Sequence, residues 1–191
     1  KKYGFLYTPL AIPHIVVCMF TLLLFAENGV ISRLLCTLHI INGFENFPNI
    51  IYNNEGFGVI IAYVWKSTAY VLSVIYVVMK NNNFKYFEVA KSMKLSYTRY
   101  VIDIILPLTK IQLISTFLIL FAYSFGSYEV PFLLSKTTHK TLPIYAYEEF
   151  LNPDIYNRPI AQSYNVIMIL IGIIIIAIYY KLITRGTYEK K

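Results

Sequence analysis

The chain has 191 residues, of which 57% are hydrophobic and only 14% charged, with a mean hydropathy of +0.56. Composition of that kind leaves too little polar surface to cover a water-soluble core and places the chain among integral membrane proteins. The net charge of +7 is interleaved with long apolar runs and not gathered into one basic face, which excludes a nucleic-acid partner.

A hydrocarbon core about 30 Å thick needs roughly 20 apolar residues per helix, and four runs of about that length lie along the chain. The first run, Phe5 to Phe25, contains Pro9 and Pro13. Prolines are tolerated in membrane helices when neighbours satisfy the freed carbonyls, so a span is expected here. A cleaved signal peptide behind Lys1 and Lys2 is the alternative, but Ala26-Glu27-Asn28 is a poor cleavage site. Cys18 lies in this run and Cys36 in the loop beyond it; they have no metal or disulfide spacing and read as packing residues.

The second run, Phe57 to Met79, is followed by a polar island from Asn81 to Tyr100. Asn81, Asn82 and Asn83 are good N-caps for a helix starting near Phe84. Phe84, Phe87, Ala90 and Met93 recur at helical spacing as one apolar face, opposite Lys85, Glu88 and Ser92. A helix of about three turns is marginal alone in water, so this face requires a membrane surface or a protein partner. The third run is Ile104 to Phe125 and the fourth Tyr164 to Ile183. His14, His39 and His139 are scattered, and no phosphate-binding glycine loop is present, so no catalytic or metal constellation is expected.

Charge orients the spans, because short cytoplasmic loops collect Lys and Arg. With the island inside, Lys80, Lys85, Lys91, Lys94, Arg99, Lys110, Lys181 and Arg185 fall on one side together with Lys1, Lys2, Lys190 and Lys191 at the termini. The other side holds Glu27, Glu45, Glu55, Glu129, Glu148, Glu149 and Asp154 against Arg33, Lys136, Lys140 and Arg158. Both termini are therefore predicted to be cytoplasmic. The expected fold is all-α: a polytopic membrane protein of about four spans, residues 1–191 forming one domain, with a cytoplasmic loop at 81–103.

The island carries Glu88-Val89-Ala90, then Lys94, then Ile104, Leu106 and Pro107. This spacing resembles the coupling loop of binding-protein-dependent ABC importer permeases. The resemblance implies that Glu88, Val89, Ala90, Met93, Lys94, Ile104, Leu106 and Pro107 couple the chain to a separate ATPase. It also implies a second permease subunit, an extracytoplasmic solute-binding protein, a bacterial inner-membrane location and no cofactor in this chain, ATP being hydrolysed by the partner. The stretches Tyr7–Pro13 and Ala62–Lys66 also look like family segments. Phe125–Leu134, Leu142-Pro143 and Arg158–Ala161 resemble the spermidine/putrescine branch, which implies a polyamine solute. Family members usually carry more spans than the four read here, so the chain, beginning at Lys1, is expected to lack the family's first helices, as a fragment or as a natural truncation.

Lys94 departs from the pattern, since the family usually has glycine there. If the backbone remains helical, Lys94 is free to reach an acidic patch on the ATPase. Pro107 is expected in a first helical turn, where its missing N–H costs nothing. Polar groups inside spans mark candidate path residues: Lys66, Gln112, Ser115, Tyr123 and Ser124, with Glu129 at the outer mouth. Each has a bland alternative in snorkelling or helix–helix bonding. Tyr145 to Asn157 reads as an outer loop rich in tyrosine and acid that could meet a binding protein. A structural or regulatory membrane protein with an interfacial helix is the rival reading, and a channel-like pore a third.

Overall fold

The computed structural model describes residues 8–81, 85–138 and 140–188. Lys1, Lys2, Phe5, Tyr7, Asn82, Asn83, Phe84, His139, Lys190 and Lys191 lie outside the described residues. The described residues are mainly helical, without strands, and four helical stretches are long and apolar enough to cross a membrane.

The first stretch is broken more deeply than its sequence suggested. A single turn, α1 (Thr8–Ala11), stops at Pro13, and α2 (His14–Phe25) starts immediately after it. Pro13 cannot continue the α1 ladder, yet its carbonyl accepts from the backbone N–H groups of Val16 and Val17 to open α2. The 12 residues of α2 rise only about 18 Å, too little for the hydrocarbon core. The apolar stretch is completed across a turn by α3 (Val30–Thr37), which carries Cys36 on a helix and not in a loop.

The second span is α4 (Phe57–Asn81), so Asn81 closes this helix instead of capping the next. After it come α5 (Lys85–Ser92) and the single turn α6 (Tyr97–Arg99). Ser96 caps α6 by accepting from the Arg99 N–H. The chain then continues without a stop through a π-helical segment, Tyr100–Ile105, into α7 (Leu106–Gly126). The third span is thus Tyr97–Gly126, longer at its base than the expected Ile104–Phe125. Pro107 is the second residue of α7, in its first turn as expected, but the helix is entered from the π-helical segment without a break. Its ring would collide with the carbonyl four residues back in a regular α-ladder, and the ladder widens just before it, with the Leu106 N–H bonding to the Val101 carbonyl.

Beyond α7, two short helices lie at the opposite end of the bundle from α5: α8 (Glu129–Leu134) and α9 (Leu142–Leu151). Proline at the start of α9, Pro143, is pre-set for the helical φ. Most of the expected Tyr145 to Asn157 loop is therefore helix. Tyr128 ties α8 to α9 through its ring contact with Tyr147, centroids 4.4 Å apart, and Lys140 pairs with Glu148 at 2.7 Å. The last span, α10 (Arg158–Tyr188), packs mainly on α9 and reaches α7 near the Ser115–Tyr179 hydrogen bond of 2.8 Å.

Two apolar clusters hold these elements. One joins α2, α4 and α8 through Val17, Cys18, Ala62, Val130 and Leu134, all almost fully buried, with Ile51 beside them. Small residues let the backbones approach: at Gly58 a Cβ would come within 2.9 Å of the Ile51 side chain. The other cluster lies at the base of α4 and α7, where Met79, Ala90 and Tyr100 meet. Most of the apolar surface of α10 remains exposed, as lipid or a neighbouring span requires.

Candidate functional site

At the base of the bundle, α5 is seated against two spans at once. Ala90 is 4% exposed and packs with Met79 of α4 and Tyr100 of the third span, and Leu95, Ile104 and Leu108 close the seat. Phe87 meets Tyr100 edge-on at 5.7 Å between centroids. The expected single apolar face is thus split: Ala90 faces the bundle, whereas Val89 and Met93 are exposed at 53% and 66%, with Tyr86 also open. Tyr86, Val89 and Met93, spaced three and four residues apart, form an outward apolar ridge. Glu88 is exposed beside it.

Lys94 does not stay helical. Its φ is 51°, in the left-handed region that disfavours side chains. The Leu95 N–H bonds to the Ala90 carbonyl and the Lys94 N–H to the Lys91 carbonyl, at 3.0 and 3.1 Å. These are the two bonds of a Schellman ending, with Lys94 at the position that glycine normally fills and Leu95 packed back toward Ala90. Lys94→Gly should therefore stabilise the end of α5 by about 0.5–1 kcal/mol, measured as slower amide exchange across α5. Unchanged or faster exchange would show that the lysine carries no backbone cost. Ile104 is half-buried in the seat, while Leu106 and Pro107 are exposed on the shaft of the span.

The second feature lies inside the bundle. Lys66 is the tenth residue of the 25-residue α4, roughly 14 Å from its start, and it points inward, toward the break between α1 and α2. Its Nζ donates to the Ile12 carbonyl at 2.6 Å and contacts His14 Nδ1 at 3.0 Å. The Ile12 carbonyl is available because the helix stops at Pro13. A lysine ammonium has no acceptor, so Nδ1 must accept, and a neutral His14 then carries its proton on Nε2. His14 stacks on Tyr123 of α7 with ring centroids 4.6 Å apart.

Lys66, His14 and Tyr123 line a cavity of about 220 Å³ with Tyr63, Ser67, Tyr70 and Ser124. Lys66, Tyr123 and Ser124, three of the candidate path residues, are thus brought together. The others are not: Gln112 is exposed lower on α7, Ser115 bonds to Tyr179, and Glu129 is exposed at the start of α8. His14 and Tyr63 are not among the path residues expected from the sequence, where His14 read as an isolated histidine and Tyr63 as part of a family segment. A histidine directly after a mid-span proline, and a tyrosine one turn before an intramembrane lysine, were the available signals. Among the described residues no group of three His, Cys, Asp or Glu side chains comes together.

The family model for the binding-protein-dependent transport system inner membrane component matches residues 3–187. The chain belongs to that family. It is a permease component of an ABC transporter, and its multi-pass helical build is that of a membrane transport protein. Comparison with curated proteins finds no match. In this permease the helix with the outward apolar ridge lies on the segment that resembles the family's coupling loop, and the lysine cavity lies among its spans.

Proposed function

We propose that this permease is a subunit of an ATP-driven importer, forming the solute path with a second permease subunit and docking a separate ATPase through α5. The observation that carries this reading is the seat of α5. A helix wedged between the bases of two spans, with Val89 and Met93 left open, transmits a push from a partner to both spans together. ATP hydrolysis then belongs to the partner, whose nucleotide state shifts the balance between two bundle arrangements through that contact. The basic side of the chain and both termini are cytoplasmic in this reading, and an extracytoplasmic binding protein delivers solute at the α8–α9 end.

For the solute, the resemblance of Phe125–Leu134 to the spermidine/putrescine branch supports a polyamine, to which Glu129 would offer a carboxylate at the outer mouth. The cavity supports the opposite charge, because among the described residues Lys66 is the one charged side chain lining it. Uptake into proteoliposomes holding both permease subunits and the ATPase, with binding protein outside and ATP inside, tests the importer reading. ATP-dependent accumulation of the solute that the binding protein retains is the expected result. Accumulation equal with and without ATP would favour a channel-like pore, and none at all under either condition would favour a structural role.

A further inference from the structure

We infer that the cavity around Lys66 and His14 is an internal recognition site for an anionic oxygen group, a carboxylate or phosphate, of the transported solute. The inference rests on the importer reading for the word solute, but its chemistry stands on the cavity itself.

An ammonium at mid-span is costly unless something compensates it. Among the described residues the ion pair present is Lys140–Glu148, and Lys66 has none. Its described partners are a backbone carbonyl and a ring nitrogen, both neutral, and they use two of its three N–H groups. Glu129 is exposed and makes no ion pair with Lys66. The charge is therefore solvated in part but not neutralised.

The rest of the lining matches that need. His14, with Nδ1 occupied by Lys66, offers its Nε2–H as a donor. Tyr123 is fixed against His14 by stacking and lines the same space. The Tyr63 hydroxyl is buried, with Ser127 beside it but no hydrogen bond of good geometry, an arrangement that leaves a polar group waiting for a partner. The described lining is rich in donors and holds one charged side chain, Lys66, and no carboxylate; Glu129 lies outside it, near enough to act on His14, Tyr63 and Tyr123. Such a lining binds an acceptor-rich anion by charge-assisted hydrogen bonds in preference to a cation. The broken helix at Pro13 contributes as well, since its freed Ile12 carbonyl holds Lys66 inward and prevents it from snorkelling to the interface.

The test uses the assembled transporter, both permease subunits with the ATPase, and ¹⁹F NMR line broadening of trifluoroacetate as a small carboxylate probe, with the quaternary trimethyl(trifluoroethyl)ammonium ion, charged at every pH, as its cationic counterpart. Saturable broadening of trifluoroacetate alone is expected, displaced by acetate or inorganic phosphate but not by spermidine. Lys66→Gln should weaken it about tenfold or more, as loss of one charge-assisted contact implies. Lys66→Arg should restore most of it, and Lys136→Gln, a lysine outside the cavity bonded to Asn54, should leave it unchanged. Should Lys66→Gln fail to assemble, the native complex still decides through the probe's charge. No saturable broadening, equal broadening of the ammonium probe, or displacement by spermidine would overturn the inference. Repeating the titration in nanodiscs separates the source of the anion: binding in phosphatidylcholine that disappears in phosphatidylglycerol would mean a lipid headgroup occupies the site, against the solute assignment. Retention of the ATPase by the native complex in the same preparation is independent of every outcome, so failure here leaves the coupling account intact.

Discussion

Val89→Asp combined with Met93→Asp is expected to weaken ATPase binding by about a hundredfold or more. Each side chain is more than half exposed and would contribute about 1.5–3 kcal/mol if fully covered by a partner. Loss of both, with carboxylates forced into the contact, exceeds two decades of affinity. Neither side chain supports the seat of α5, so thermal stability should change little, as for ordinary surface substitutions. Affinity is read by interferometry of the purified ATPase on nanodisc-held permease pairs. A double variant that binds as tightly as the native chain would remove α5 from the interface.

Ala90→Asp is expected to fail in a different way. The residue is buried against Met79 and Tyr100, and no described cation lies in that cluster to pair with a new carboxylate. Burying it there costs about 3 kcal/mol or more, enough to lift α5 off the base of the spans. Amide exchange should accelerate across α5 even without the ATPase, and ATPase binding should fall because the ridge is no longer held. Native-like protection of α5 in this variant would contradict the seat. Substitutions at Ala90 thus report on the seat, and those at Val89 or Met93 on the partner's surface, although the three lie within four residues.

That distinction was hidden in the sequence. Helical spacing groups Phe87, Ala90 and Met93 on one side, and only the positions of Met79 and Tyr100 decide which of them turns inward. Spans were legible because lipid imposes a minimum apolar length: the last three overlap their runs, whereas the first is shifted to His14–Thr37, past the expected Phe5 to Phe25. The ends were less legible: the third helix begins at Tyr97 because a π-helical segment before Pro107 lets the chain run on through polar residues. The segment after Tyr145 looked like a loop because its tyrosines and acids lack a strong helical pattern, while Pro143 was in fact a helix-opening signal. Lys94 occupies a left-handed helix-ending position that glycine fills most easily, and the motif spacing alone could not reveal whether the backbone followed. The cavity was least legible. His14 and Lys66 are 52 residues apart, and nothing local to either indicates that a proline break will bring them within hydrogen-bond distance.

The most direct test of the coupling account is bismaleimide cross-linking from Met93→Cys to cysteines placed across the membrane-facing surface of the ATPase, in membranes, with ADP and with a non-hydrolysable ATP analogue. The account predicts a single permease–ATPase product whose yield changes with the nucleotide. Absence of that product, together with ready labelling of Met93→Cys by a lipid-phase reagent, would place α5 on the bilayer surface and contradict the account.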